Sequence, residues 1–195
     1  MSALPSFILA SGSPRRRELL AGLGVRFTVR AVDLDETPGA GEPPEATVLR
    51  LARAKATARA EPGELVLGAD TVVVIDGELL GKPRDPEDAR RMLARLAGRE
   101  HTVLTGVALE EPGRNRRTSA LERSQVRMAS LTPEEIAWYV STGEPLDKAG
   151  SYAIQGIGAL LVEEVRGNYT NVVGLPLPLT RRLFRELGWE MLDFR

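Results

Sequence analysis

The run VLGADTVVVIDGELLGKP, Val66 to Pro83, constrains the fold more than any other stretch of the chain. Its density of Val and Ile is that of a core strand. Asp76-Gly77 is a two-residue hairpin signal, so the strand turns back on "ELL" as an antiparallel pair. Such a strand should be the driest element of the protein, yet it carries Asp70 at its head, and Lys82 stands just beyond its partner. A buried carboxylate without a partner costs several kcal/mol or changes its protonation state. Asp70 is therefore either satisfied structurally, with Lys82 as its ion partner, or it takes part in chemistry.

Helix and strand signals alternate on both sides of this hairpin, which argues an α/β fold with a mixed sheet and flanking helices. Phe7–Ala10 reads as a short buried strand, followed by a helix from Pro14 to about Leu20 with Ser13 as its cap. PPEATVLRLARAKATARAEPG is a second helix, stopped by Pro62-Gly63. RDPEDARRMLARLAG is a third, capped by Asp85, with Pro86 in first position and Gly98 after its end. HTVLTGVALE and SALERSQVRMA are strands separated by the basic turn EPGRNRR, a solvated hairpin tip. LTPEEIAWYVSTGEP is a helix opened by the capping box Thr132 and Glu135 and closed by Gly143. GALLVEEVRGNYTNVVGLP reads as two strands around a Gly167-Asn168 turn, and LPLTRRLFRELGW as a final amphipathic helix.

Bulk properties bound what this fold can do. At 195 residues and 43% hydrophobic, the chain is sized for one domain with a full core. Lys+Arg 26 against Asp+Glu 27 lacks the basic excess of a general nucleic-acid binder, and none of its 4 Phe, 2 Trp and 3 Tyr falls in a basic motif where a base would stack. With no cysteine, thiolate zinc sites, cysteine nucleophiles and disulfides are excluded. The first residues hold a four-residue apolar run, and no stretch approaches the ~20 apolar residues of a membrane span. The expectation is a cytoplasmic protein with no membrane or nucleic-acid partner.

Three further features gather charge. In SGSPRRR, Arg15, Arg16 and Arg17 stand at a helix start, where cations are disfavoured unless an anion arrives. Gly12 and the hydroxyls of Ser11 and Ser13 complete a stretch that resembles a phosphate nest, with Arg17 pointing outward. Lys55 falls at i+7 on the apolar stripe of Val48, Leu51 and Ala52, so its ammonium is aimed inward, whereas Arg50, Arg53 and Arg59 face solvent. DLDE, Asp33 to Glu36, adds acids in a loop, and LDKAGSYAIQG adds Asp147, Lys148 and Gln155 among glycines. Phosphate cations, metal-capable carboxylates and a base-reading amide together suit a nucleoside triphosphate, whose magnesium ion needs only one or two protein carboxylates. His101, the only histidine, lacks metal-ligand company and reads as structural.

These segments carry a resemblance. ASGSPRR, RLARAKA, GADTVV, GKP, TGVAL, DKAGSYAIQG and NYTNVVGLP, in that order from about Phe7 to Trp189, resemble the Maf family of nucleotide pyrophosphatases. The resemblance implies one domain over residues 1–195 in a two-lobed architecture related to the inosine triphosphate pyrophosphatases. It also implies a central nucleotide-binding cleft, a divalent cation (Mg²⁺ or Mn²⁺), a homodimer, and hydrolysis of a nucleoside triphosphate to the monophosphate and pyrophosphate. By the same resemblance Asp70 is the proton acceptor, Ser13, Arg15, Arg16, Lys55 and Lys82 contact phosphates, and Glu36, with Asp70, is placed on the metal. Ile154-Gln155-Gly156 resembles the dTTP/UTP branch rather than the branch acting on 7-methyl-GTP, and Arg15, Thr71 and Gln155 match the positions associated with that choice. A glutamine amide can donate to O4 and accept from N3–H of uracil or thymine, which a carboxylate cannot. The competing expectation is a nucleotide-sensing regulator of cell division or septum formation, which would need no proton acceptor among its phosphate-binding groups.

Overall fold

The computed structural model describes residues 4–195. Its sheet has seven strands: β1 (Ser6–Leu9), β2 (Thr28–Val29), β3 (Glu64–Ile75), β4 (Glu78–Leu80), β5 (Glu100–Glu111), β6 (Arg116–Met128) and β7 (Val162–Arg166). The order is β2-β1-β3-β5-β6-β7, with β4 added to β3. β1 pairs in parallel with β2 and β3, and the remaining pairings are antiparallel. The mixed α/β sheet expected from the alternation of signals is thus present.

Local chemistry explains most element ends. Asp76 (φ 54) and Gly77 (φ 77) both adopt the left-handed turn conformation that closes a tight hairpin between β3 and β4. Of the helices α1 (Pro14–Gly22), α2 (Pro44–Thr57), α3 (Pro86–Leu96), α4 (Pro133–Ser141), α5 (Tyr169–Val173) and α6 (Leu177–Glu186), α3 is capped by Asp85 and α4 by the Thr132–Glu135 box, as their sequences predict. Ser13 occupies the cap position of α1, but its side chain makes no capping bond. The basic turn is a hairpin tip, with Arg114 and Arg116 paired to the buried Glu111 and Arg114 stacked 4.8 Å from the Trp189 ring centre.

One expected strand is a helix. In NYTNVVGLP the side chain of Asn168 accepts from the amide of Asn171 and the hydroxyl of Thr170, which starts α5, and Gly174 (φ 124) follows its end. The β-branched run suggests a strand, but the asparagine cap overrides it, and Asn171 is drawn into the core to donate to Val103 O and Ser124 Oγ.

Two large apolar clusters lie along β3. Leu65, Leu67 and Ala69 join Phe7, Leu9, Leu20 and the inner face of α6, while Val73 and Ile75 join α3, α4 and Tyr152. Asp70 falls between the two. No helix among the described residues is long and apolar enough to cross a membrane.

Candidate active site

The register of β3 leaves a gap where Asp70 sits. On one edge β3 is paired with β5 from Val66 to Val74. On the other it pairs with β1 only as far as Leu67 and with β4 only from Val73. Residues 68–72 therefore present an unpaired strand edge, and such an edge carries backbone groups that need partners.

Above this gap lies α2. A Cβ on Gly68 would stand 2.2 Å from Ala52 O, and one on Gly106, the register partner of Asp70, would stand 2.4 Å from Val48 O. Only glycine at these two positions lets the helix backbone rest directly on the sheet. That approach brings Lys55 over Asp70, which is one residue pair along the same face from Gly68. Lys55 Nζ is 2.7 Å from Asp70 Oδ1 and 2.6 Å from Glu36 Oε1. Lys55 and Asp70 are only 7% and 6% exposed, so the pair is buried, whereas half of the Glu36 side chain faces solvent. Partial burial raises the Glu36 pKa, but the hydrogen bond and charge of Lys55, with the fields of Lys82 and Arg16, outweigh it and hold the carboxyl below its usual range.

The partner of the aspartate is thus Lys55 and not Lys82, contrary to the pairing first suggested by the hairpin. Lys82 is exposed and forms no ion pair with a described residue; the inward aim of Lys55 is as its helical position predicts, and Arg50, Arg53 and Arg59 are exposed.

Arg16 closes the gap from the other side. It is 8% exposed and donates from Nε to Gly174 O (2.8 Å), from Nη1 to Ser11 Oγ and Ala69 O (both 2.9 Å), and from Nη2 to Thr71 Oγ1 (3.0 Å). The Ala69 carbonyl is one of the unpaired edge groups. Thr71 Oγ1 in turn lies 2.9 Å from Thr105 Oγ1, and Thr105 reaches Asn171 O at 3.3 Å. Burial lowers the pKa of the guanidinium, and the field of Asp70 opposes that fall. The electrostatic conflict at the start of α1 is relieved here by turning Arg16 into the fold, which leaves one of its five N–H groups unused.

The remaining candidates lack side-chain partners. Arg15, Ser13 and Gln155 are half-buried, and their side chains hydrogen-bond to no described residue. The DKAGS segment is tied to GKP by the Gly150 amide, which donates to Gly81 O at 3.0 Å beside Lys82. Lys148 is committed to Asp147 and to Glu144 O. Arg17 is exposed, as expected. His101 is buried with Nε2 2.7 Å from Tyr152 Oη, and burial pushes its pKa down to about 4, in keeping with a structural role.

Thr105 and Asn171 join the Arg16 and Thr71 network, and Glu144 anchors the segment that carries Gln155; the residue pattern marks none of the three. Thr105 is set opposite Thr71 by the register of β3 against β5, which only the structure supplies. Asn171 and Glu144 carry no local signal either, since their partners lie at Val103 and at residues 139, 157 and 158.

Comparison with known proteins adds what geometry alone does not carry. The family model described as Maf-like protein matches residues 6–187. A protein of Anaeromyxobacter sp. (strain Fw109-5) is 59% identical over 184 residues, covering 93% of this chain and 89% of the relative. One of Myxococcus xanthus (strain DK1622) is 57% identical over 183 residues, covering 93% and 92%. One of Anaeromyxobacter dehalogenans (strain 2CP-C) is 56% identical over 192 residues, covering 96% of each. All three relatives are named dTTP/UTP pyrophosphatase. Among solved structures, the Staphylococcus aureus Ham1 protein aligns over 97% of this chain and 93% of its own with a TM-score of 0.47 and 12% identity.

Proposed function

The chain belongs to the Maf family, and from that premise we propose that it is a nucleoside triphosphate pyrophosphatase that hydrolyses dTTP and UTP to the monophosphate and pyrophosphate. The names of its relatives support the substrate. The observation that carries the chemistry is the convergence of Asp70, Lys55 and Glu36 at the unpaired edge of β3. A nucleotide sensor would need no proton acceptor there.

In this reading water attacks the α-phosphorus, the bond to the α–β bridging oxygen breaks, and pyrophosphate leaves with that oxygen. Asp70 takes the water proton. Its Oδ1 is engaged by Lys55, and Oδ2 makes no hydrogen bond to a described residue, which leaves that oxygen for the proton. Arg15, Arg16, Lys55, Lys82 and the Ser13 hydroxyl face the phosphates, and fixed cations of this kind stabilise the charge that develops on the leaving pyrophosphate without solvent rearrangement. Gln155 and Thr71 face the base.

Glu36 and Asp70 are the residues that would hold a divalent cation. Each keeps one oxygen free of hydrogen bonds to described residues while the other rests on Lys55, and a cation that arrives with a nucleotide takes only one or two protein carboxylates. No cluster of three or more His, Cys, Asp or Glu side chains fit for a metal exists among the described residues. When bound, such a cation neutralises phosphate charge and polarises the phosphoryl oxygens. The two apolar clusters along β3 are read as two lobes of one domain, and the family resemblance adds a homodimer to the proposal.

The test is a screen of the common ribo- and deoxyribonucleoside triphosphates for pyrophosphate release, with and without Mg²⁺ or Mn²⁺. dTTP and UTP should rank first. Equal turnover of purine and pyrimidine nucleotides would overturn the assignment.

A further inference from the structure

Gln155 has no partner of its own, yet the chain on both sides of it is held tightly, and by one carboxylate. Glu144 follows Gly143 at the end of α4. Its Oε1 accepts from Tyr139 Oη and from the Gly158 amide, both at 2.8 Å, and its Oε2 accepts from the Ile157 amide at 3.0 Å. Tyr139 is fully buried, and its hydroxyl oxygen also accepts from the Ala153 amide at 3.2 Å. The amides at 153, 157 and 158 thus bracket Ile154 and Gln155, and all three are fixed through Glu144 or its partner Tyr139.

The backbone is built around this contact. Gly156 (φ 71) would set a Cβ 2.6 Å from Glu144 Oε2, and Gly158 would set one 2.5 Å from Tyr139 Oη. Two successive amides directed at one anion form a nest, here filled by the protein's own side chain. Partial burial raises the Glu144 pKa, but the Gly158 amide, the Tyr139 hydroxyl and the Ile157 amide outweigh it and keep the carboxyl below its usual range.

We propose that Glu144 is the positioning residue of the base-reading loop: by bridging Tyr139 to the Ile157 and Gly158 amides, it fixes the backbone from which Gln155 reaches the base. This rests on the reading that Gln155 reads the base. The discrimination at stake is between a uracil or thymine edge and the edge of a purine, which lies farther from the ribose. Rotation of the carboxamide lets it pair with either pyrimidine, so a fixed backbone does not separate those two; what it sets is the distance of the amide from the base. Selectivity against the larger base therefore requires a backbone held in one place. A carboxylate suits the task because three donors converge on it, whereas an amide of the same shape offers one oxygen and turns an NH₂ group toward an N–H.

The experiment compares Glu144→Gln, Tyr139→Phe and Gln155→Ala with the parent protein, reading kcat and KM for dTTP, UTP, dCTP and dGTP beside a thermal melt. Glu144→Gln should raise KM for dTTP more than it lowers kcat, and should cut the dTTP-over-dGTP preference in kcat/KM by about 10-fold. Tyr139→Phe should shift the preference in the same direction by less. A folded Glu144→Gln protein that loses activity equally on all four nucleotides would overturn the proposal and leave Glu144 as a structural staple. If Glu144→Gln fails to fold, Tyr139→Phe decides, and an unchanged nucleotide ranking in that variant overturns it. If Gln155→Ala itself leaves the ranking unchanged, base reading by Gln155 is what fails, and the role of Glu144 falls with it.

Discussion

Lys55 and Lys82 flank the same carboxylate-bearing edge, and the fold treats them in opposite ways. Lys55, on the inner face of α2, has both of its carboxylates already in place, and its contact with Asp70 is buried. Lys82 is exposed, and like the half-buried Arg15 and Gln155 it has no side-chain partner among the described residues. Desolvation explains the division. A charge that the fold removes from water must be compensated within the fold, whereas one that stays wet can wait for its ligand. On the proposed function, the side assigned to the chemistry is preorganised, and the side assigned to phosphate and base is left open.

The sharpest way to break this comparison is to remove the charge at the centre of the compensated side. Asp70→Asn keeps the size of the side chain but not its basicity, and pyrophosphate release should fall by about 10²–10⁴-fold while the fold persists. A non-hydrolysable dTTP analogue should still bind, and measuring that binding with and without divalent cation separates a base from a ligand. Binding lost only in the presence of cation would assign Asp70 mainly to the metal. Near-parental pyrophosphate release would pass the role of base to Glu36 or Asp147.

The next test sets the two lysines against each other. Lys55→Met and Lys82→Met should both lower activity strongly, but only the first should cost stability. Removing Lys55 strands the buried Asp70 carboxylate, a loss of about 3–5 kcal/mol unless the aspartate takes up a proton. Removing the exposed Lys82 should change unfolding free energy by less than about 0.5 kcal/mol. Chemical denaturation of both variants checks this, and equal stabilities would erase the distinction drawn between the two sides.

The smallest effect concerns the anchor of the segment that carries Gln155. Tyr152, three residues before Gln155, is held by His101, whose pKa is pushed by burial from 6.5 to about 4. The unfolded chain therefore binds the proton more readily than the fold does. The stability contributed by neutral His101 is complete above pH 6.5 and is lost as pH falls from 6.5 to 4, by up to about 3 kcal/mol. Melting curves across that range should show a steeper decline for the parent protein than for His101→Gln. Identical slopes would mean that the imidazole is not buried as a neutral group.

Much of the fold was legible because its signals are local. Asp85, the Thr132–Glu135 box and the Asp76-Gly77 turn each act on groups within a few residues, so the sequence alone determines them. The inward aim of Lys55 was legible for the same reason, since helical periodicity is a property of one segment. The second half of GALLVEEVRGNYTNVVGLP has the composition of a strand, and the cap that Asn168 provides makes it a helix instead.

What joins these pieces was decided only in three dimensions. That Asp70 pairs with Lys55 depends on Gly68 and Gly106 admitting α2 onto the sheet. That Arg16 folds inward depends on the carbonyl that β1 and β4 leave unpaired at Ala69. The reach of Glu144 to residues 157 and 158 depends on how the loop after α4 returns. Residue types state which charges are available. Close packing and the need to satisfy every buried polar group settle which of them meet, because those conditions are met between segments and no single segment contains them.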